Sequence, residues 1–423
     1  MFQLNLLRLT KGQKIPYYTL LLIVGVLIAN LFQPQTIELT GWFKPHFSAL
    51  LIKILLPILI FEASIQMNFY QLRRDLVPLC VLSIFGLIIS TWVVGELLSW
   101  LMAIPRWSAF VFGALISATD PISIIALFKS IKAPFRLTHL IEGESLINDG
   151  TGIVLFRILF LLSVSQSSDF KDSWTYLQTG LVQFFFISIG GVLCGYGVGL
   201  LLTRLLNSFK KSAAAQLALT IIGTYFTFFT AEHVLEVSGV LALMGLAYPL
   251  TKIKLFSSFK KQGLMPIWEY LAIAANSIAF LTVGLFTDFK LFTNHWTSSL
   301  FIILVVFIAR AISVLGTIPI LNLTAHFSFW QVGKKLSFEK ISMTYQIILI
   351  LGGIRGGLAL ALALSLPETF VWKETFLVWT LALIVSSNLI NALATSWILK
   401  LHSAWPSFGK FTSDKTSFKS GMQ

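Results

Sequence analysis

A run of acidic and polar residues, Glu142-Gly-Glu-Ser-Leu-Ile-Asn-Asp-Gly-Thr151, opens an otherwise apolar segment of this chain. On a helix, Ser145 and Asp149 lie four residues apart, as do Glu144 and Asn148, so they form two adjacent stripes. Carboxylate, amide and hydroxyl oxygens are the ligands with which a hard cation replaces its water. Removing water from a carboxylate also favours its protonated form. These residues therefore indicate one site that holds either a cation or a proton, with Asp149 as the shared carboxylate.

Further charged residues stand within apolar segments, where an unpaired charge is costly. They include Glu62, Glu96, Asp120, Arg310 and Arg355. Either arginine could neutralise Asp120 or Asp149, which is a second, purely structural interpretation of these acids. For Glu144 the structural interpretation is the favoured one, with Arg310 as its partner.

The amino-acid composition indicates the class of protein and the type of secondary structure that position these residues. Hydrophobic residues make up 56% of the 423 residues and charged residues only 12%, and the mean hydropathy is +0.83. These values exclude a soluble globular protein, and the long continuous apolar runs differ from the alternating pattern of a membrane β-barrel. The sequence predicts an all-α polytopic membrane protein.

Apolar runs long enough to cross the hydrocarbon layer predict twelve membrane spans. Their limits are 17–33, 47–65, 77–103, 109–128, 141–165, 179–205, 217–233, 237–251, 266–287, 298–321, 343–366 and 375–399. Most of the 31 lysines and arginines fall in alternate connections, which predicts that both termini are cytoplasmic. The other connections hold only Lys44, Arg106, Lys171, Lys290 and Lys373. We expect a single membrane domain over residues 1–423, with a cytoplasmic N-terminus (1–16), a transmembrane region (17–399) and a short cytoplasmic tail (400–423).

Two spans contain helix-breaking residues beside a charge. The fourth reads Ser117-Ala-Thr-Asp-Pro-Ile-Ser123, and the eleventh reads Gly352-Gly-Ile-Arg-Gly-Gly357. Proline and clustered glycines disfavour continuous helix, so we predict that both helices break near the membrane centre. The two spans run in opposite directions, which fits two inverted five-helix repeats, spans one to five and eight to twelve. Paired broken helices are typical of the substrate site of secondary transporters, although ordinary helix-packing glycines and prolines are an alternative.

Cofactor motifs are absent from the sequence. The cysteines, Cys80 and Cys194, lie in apolar runs without metal-binding spacing. Gly191, Gly195 and Gly199 recur every four residues without a following strand, which predicts close helix packing and not a dinucleotide loop. We therefore expect no cofactor beyond transported ions, and no nucleic acid partner.

Several segments resemble the NhaP-type sodium/proton antiporters of the monovalent cation:proton antiporter-1 family. They are Leu56-Pro-Ile-Leu-Ile-Phe-Glu62, Ser117-Ala-Thr-Asp-Pro121, Glu142 to Gly152, Phe280-Leu-Thr-Val-Gly-Leu285 and Gly353-Ile-Arg-Gly-Gly357. The resemblance implies an inverted-repeat fold with a dimerisation domain and a mobile core crossed by two unwound helices. It also implies a homodimer that takes part in sodium transport and pH homeostasis. We expect the inner (plasma) membrane as the location by default, since no transit peptide is visible.

The resemblance also implies roles for individual residues. It implies electroneutral Na⁺(Li⁺)/H⁺ exchange by alternating access through an Asn-Asp pair, here Asn148 and Asp149. Asp120, Thr119, Ser145 and Glu62 would complete or support the Na⁺ site. Glu144 with Arg310 resembles the family's structural ion pair, and Arg355 resembles the arginine that compensates a broken helix.

Three other functions remain open from the sequence. A K⁺/H⁺ antiporter would use the same ligand types, because ligand types alone do not set cavity size. A gated cation channel would need a symmetric filter sequence, and none is found. An intramembrane enzyme would need a paired catalytic motif, a criterion that Asp120 with Asp149 meets only loosely.

Overall fold

The computed structural model describes most of the chain. The described residues are 17–31, 46–67, 69, 72, 79–117, 119, 125, 135–164, 170–209, 212–252, 264–286, 296–324, 329–331, 334–336, 343–351, 353 and 356–404. Helices dominate this part. They are α1 (Tyr17–Leu31), α2 (His46–Gln66), α3 (Val81–Met102), α4 (Arg106–Ser117), α5 (Phe135–Val164), α6 (Phe170–Ser208), α7 (Ala213–Val234), α8 (Gly239–Lys252), α9 (Leu264–Leu285), α10 (Trp296–Thr324), α11 (Met343–Leu351), α12 (Gly357–Ser365) and α13 (Lys373–Ala404).

The helices confirm the architecture predicted from hydropathy. Each predicted span corresponds to one helix, except the eleventh, which is divided between α11 and α12, and the fourth. The first part of the fourth span is α4, and most of its residues after Ser117 lie outside the described residues. Within the described residues, seven helices are long and apolar enough to cross a membrane, namely α2, α3, α5, α6, α7, α9 and α10. Helices α5 and α6 begin at Phe135 and Phe170, before their apolar runs. A helix satisfies its own backbone hydrogen bonds, so it continues beyond the stretch that hydropathy detects.

A two-stranded hairpin in the connection between α10 and α11 adds to the predicted all-α fold. Strands β1 (Phe329–Gln331) and β2 (Lys334–Leu336) pair antiparallel, with Phe329 opposite Leu336. The hairpin lies outside the predicted spans and forms through local backbone pairing, so hydropathy carried no sign of it.

The two predicted helix breaks are present. Helix α4 ends at Ser117, and Thr119 has left the helical conformation. Helix α11 ends at Leu351 and α12 begins at Gly357, with Gly353 and Gly356 outside both helices. Both helices therefore end at the positions that the proline and glycine clusters predict.

Helix packing divides the protein into two groups. The core group contains α3, α4, α5, α10, α11, α12 and α13, and the scaffold group contains α1, α2, α7, α8 and α9. Contacts are extensive within each group and sparser between them, and α6 packs mainly on α8. The pairings repeat as the predicted inverted repeat requires, because α1 packs on α9 as α8 packs on α2, and α5 meets α8 as α13 meets α1.

Glycines bring the backbones of α6 and α8 into direct contact. A Cβ atom added to Gly195 would lie 1.7 Å from the carbonyl oxygen of Ala242, and one added to Gly191 would lie 2.5 Å from that of Ser238. From the other side, a Cβ on Gly245 would lie 2.3 Å from the Val192 carbonyl oxygen. The four-residue glycine spacing in α6 is thus a helix-packing surface, as predicted.

We predict that Gly195→Ala lowers the free energy of unfolding by about 1–3 kcal/mol, since the added methyl group overpacks this contact. Gly197→Ala is the matched control, because a Cβ atom at Gly197 meets nothing within 4 Å. Thermal unfolding of the detergent-solubilised protein measures both effects. Equal melting temperatures for the two variants would contradict close α6–α8 packing.

Candidate ion site

The polar run identified in the sequence lies inside helix α5. Ser145 and Asn148 are buried there, and Asp149 is half-buried. In the part of the chain that the structure describes, the buried Oδ1 atom of Asn148 has no hydrogen-bond partner. A buried carbonyl oxygen without a donor is costly, and a cation is one group that could satisfy it.

The end of α4 meets α5 at this polar run. Ser145 Oγ donates a hydrogen bond to the backbone carbonyl of buried Thr119, just beyond the helix end. Ser117, the last residue of α4, shares a hydrogen bond of 3.1 Å with Thr91 of α3. The break in α4 therefore supplies non-helical backbone oxygen close to Ser145, in a position held by hydroxyl contacts from two neighbouring helices.

Glu144 and Arg310 form a buried ion pair between α5 and α10. Arg310 Nη1 donates to Glu144 Oε1 at 2.6 Å, and the exposed fractions of the two side chains are 10% and 3%. Arg310 also donates from Nε and Nη2 to the carbonyl oxygen of Leu349, at 3.3 and 3.1 Å. One guanidinium group therefore joins a carboxylate of α5 to the last turn of α11.

The contact with Leu349 has a clear electrostatic reason. Carbonyl groups in the last turn of a helix lack intrahelical donors, and the helix dipole places partial negative charge there. Arg310 supplies both a donor and a positive charge. The chain passes close by, since a Cβ atom on Gly353 would lie 3.1 Å from Arg310 Nε. Arg310 thus compensates the end of α11, a contact that the sequence reasoning did not identify.

The other charged residues singled out in the sequence lie on α2 and α3 or outside the described residues. Asp120 and Arg355 fall outside the described residues, so their predicted roles stay predictions. Glu62 lies on α2, which packs against α5, and it accepts a hydrogen bond from Gln66 one turn later. Glu96 contacts Arg106 across the short connection between α3 and α4 and takes no part in the arrangement around Asn148.

The fold and the site together define a class of membrane protein. Inverted repeats, two interrupted helices and a cluster of buried polar oxygen atoms at one interruption are typical of membrane transporters. The sequence profile of the family described as "Sodium/hydrogen exchanger, transmembrane" matches residues 2–401. The chain belongs to this family.

Individual relatives agree with this assignment. The "Na(+)/H(+) antiporter NhaH" of Halobacillus dabanensis is 31% identical over 84% of this chain and 83% of its own length. The "Na(+)/H(+) antiporter NhaG" of Bacillus atrophaeus is 32% identical over 91% of this chain and 70% of its own length. The "Sodium/hydrogen exchanger 7" of Arabidopsis thaliana is 29% identical over 93% of this chain, which spans only 35% of that longer protein.

A solved structure has the same fold. The sodium proton antiporter MjNhaP1 from Methanocaldococcus jannaschii, solved at pH 8, aligns over 93% of this chain and 94% of its own chain. The TM-score is 0.70 at 18% sequence identity. The predicted NhaP-like antiporter fold is confirmed.

We predict that Glu144→Gln and Arg310→Met each lower the free energy of unfolding by about 3–5 kcal/mol, because each leaves a buried charge without its partner. The double variant Glu144→Gln/Arg310→Met should lose less than the sum of the two single losses. Chemical unfolding in detergent, followed by tryptophan fluorescence, gives the three values. Strict additivity would show that the two side chains do not act as a pair.

Proposed function

We propose that this protein is an electroneutral Na⁺(Li⁺)/H⁺ antiporter that works by alternating access. The observation that carries the proposal is the set of oxygen-bearing side chains on α5. Among the described residues the buried Oδ1 of Asn148 has no hydrogen-bond partner, Asp149 is the next residue, and Ser145 contacts the end of α4. Relatives over most of the chain are named Na⁺/H⁺ antiporters, which supports Na⁺ as the cation.

The ligand set suits a hard monovalent cation. The Asp149 carboxylate supplies the negative charge, and the Asn148 amide, the Ser145 hydroxyl and Thr119 supply neutral oxygens. Asp120 and Glu62 are part of the proposed Na⁺ site, as the family resemblance implies. Na⁺ and H⁺ are the transported substrates, and the proposed mechanism uses no resident cofactor.

Charge balance supports a one-for-one exchange. Arg310 neutralises the negative charge of Glu144, so this buried carboxylate does not balance the charge of a transported ion. Asp149 then carries either one proton or one cation, and in both cases its charge is neutralised. An empty, ionised Asp149 would be costly to move through the dry interior, which couples the two fluxes and prevents a leak.

The orientation and setting are part of the proposal. The distribution of basic residues supports cytoplasmic termini. The protein lies in the inner (plasma) membrane in this proposal, where it contributes to pH homeostasis. The whole chain forms one membrane domain. The family resemblance supports a homodimer. Arg355 compensates charge at the break between α11 and α12, in addition to the contact made by Arg310.

K⁺/H⁺ exchange is the nearest alternative, because oxygen ligands of the same types bind both ions. A channel or an intramembrane enzyme has less support, since nothing in the described site resembles a symmetric filter or a catalytic pair. Comparison of Na⁺, Li⁺ and K⁺ as substrates separates the two exchangers.

We predict that Asp149→Asn abolishes exchange, since an amide cannot alternate between a bound proton and a neutralised carboxylate. Everted vesicles with a pH-sensitive dye measure the proton movement that follows addition of Na⁺, Li⁺ or K⁺. Glu96→Gln is the matched control, because Glu96 pairs with Arg106 away from the site, and it should retain exchange. Exchange by the Asp149→Asn variant at the wild-type rate would refute the assignment.

We further predict that the apparent KM for Na⁺ rises as the pH falls, while the maximal rate at saturating Na⁺ changes little. Proton and cation compete for one carboxylate, so excess Na⁺ should overcome the added protons. Initial rates of Na⁺-driven proton movement over a series of Na⁺ concentrations and pH values test this. An unchanged KM with a falling maximal rate would indicate separate proton and cation sites.

A further inference from the structure

An ion pair that the sequence reasoning missed joins the core group to the scaffold group. Arg157 lies on α5, eight residues after Asp149, which is about 12 Å along the helix. Its Nη2 atom lies 2.5 Å from Oε2 of Glu232, in the last turn of α7. The sequence did contain a signal, namely a basic residue in the fifth predicted span and an acid in the seventh.

Glu232 is held independently of Arg157. Its other carboxylate oxygen, Oε1, accepts a hydrogen bond of 3.0 Å from the backbone N–H of Gly239, the first residue of α8. An anion at a helix N-terminus is stabilised by the N–H groups and the helix dipole there. Glu232 therefore belongs firmly to the scaffold, and its side chain is only 9% exposed.

Arg157 differs from Glu232 in its surroundings. Its side chain is 47% exposed and lies two turns before the end of α5, from which a long arginine side chain can reach the membrane surface. The guanidinium can therefore leave the carboxylate without becoming a buried, unpaired charge. Two further Arg–Glu contacts, Arg106 with Glu96 and Arg310 with Glu144, lie within the core group. In this contact Glu232 is fixed on the scaffold side of the boundary between the groups. Arg157, on the core side, can be released.

We propose that the Arg157–Glu232 pair positions the core against the scaffold at the outer end of the membrane and keeps that side of the ion pathway closed. The pair lies at the C-terminal ends of α5 and α7, the outer end in the proposed orientation. When the core moves to open the outer side, the pair separates and Arg157 becomes solvated. This inference rests on the proposed alternating-access exchange.

The proposal predicts a measurable change in the apparent affinity for Na⁺ at one membrane face relative to the other. The ratio of the apparent KM for Na⁺ at the outer face to that at the inner face reports the equilibrium between the inward-open and outward-open forms. Weakening the pair favours the outward-open form and lowers this ratio. A partly exposed ion pair predicts a fall of roughly two- to fivefold.

We predict this fall for Glu232→Gln and for Arg157→Gln. Glutamine at 232 retains an oxygen that can accept the Gly239 hydrogen bond, so the cap of α8 survives. Right-side-out and everted vesicles give the KM for Na⁺ at each face at equal pH on both sides. Because both variants break the same contact, Arg157→Gln/Glu232→Gln should lower the ratio no further than either single change.

Glu96→Gln is the matched control, since it removes an Arg–Glu contact near the same membrane end but inside the core group. Its KM ratio should equal that of the wild type. An unchanged ratio in active Glu232→Gln and Arg157→Gln proteins, or an equal fall in Glu96→Gln, overturns the inference while leaving the exchange intact. A wild type that exchanges no cation refutes the proposed function itself.

A cross-link tests the same inference without relying on altered affinities. Arg157→Cys and Glu232→Cys are combined in a background in which the free cysteines Cys80 and Cys194 are replaced by serine. A short bifunctional thiol reagent should stop exchange, and reduction of a cleavable linker should restore it, whereas either single cysteine should be insensitive. Full exchange by the cross-linked protein would overturn the proposal.

Discussion

The guanidinium of Arg310 satisfies two buried groups on which the interrupted-helix architecture depends. A helix that ends inside hydrocarbon leaves carbonyl groups without donors, and each costs several kcal/mol. Arg310 donates to one such carbonyl, at Leu349, and to the carboxylate of Glu144 on α5. The break in the eleventh span can therefore exist beside α5, because one cation offsets both the helix end and a buried acid.

The same pairing separates the acids of α5 by role. Glu144 is neutralised within the protein, whereas Asn148 keeps a buried oxygen without a protein donor in the described part of the chain. In the proposed function, the charge of Asp149, the next residue, is balanced by a proton or a cation. A structural ion pair and the proposed ion ligands thus lie close together on one helix, within a little more than one turn.

The packing of the helices is consistent with relative movement of the two groups. Helices α6 and α8 meet backbone to backbone through glycines, so they resist separation. Contacts between the core and scaffold groups are sparser. Sliding at a sparsely packed boundary costs less than unpacking either group, and an ion pair across that boundary, such as Arg157 with Glu232, can bias the balance between two positions.

Hydropathy, loop charge and helix breakers in the sequence were sufficient to locate the helices, the inverted repeat and both interruptions, because these signals are local. Helical spacing likewise placed Ser145, Asn148 and Asp149 on one region of α5. The tertiary structure decided which distant groups meet: Ser145 with the Thr119 carbonyl, Arg310 with Leu349, and Arg157 with Glu232. Such contacts depend on how separate helices pack, and a charged residue within an apolar run has several possible partners until packing selects one.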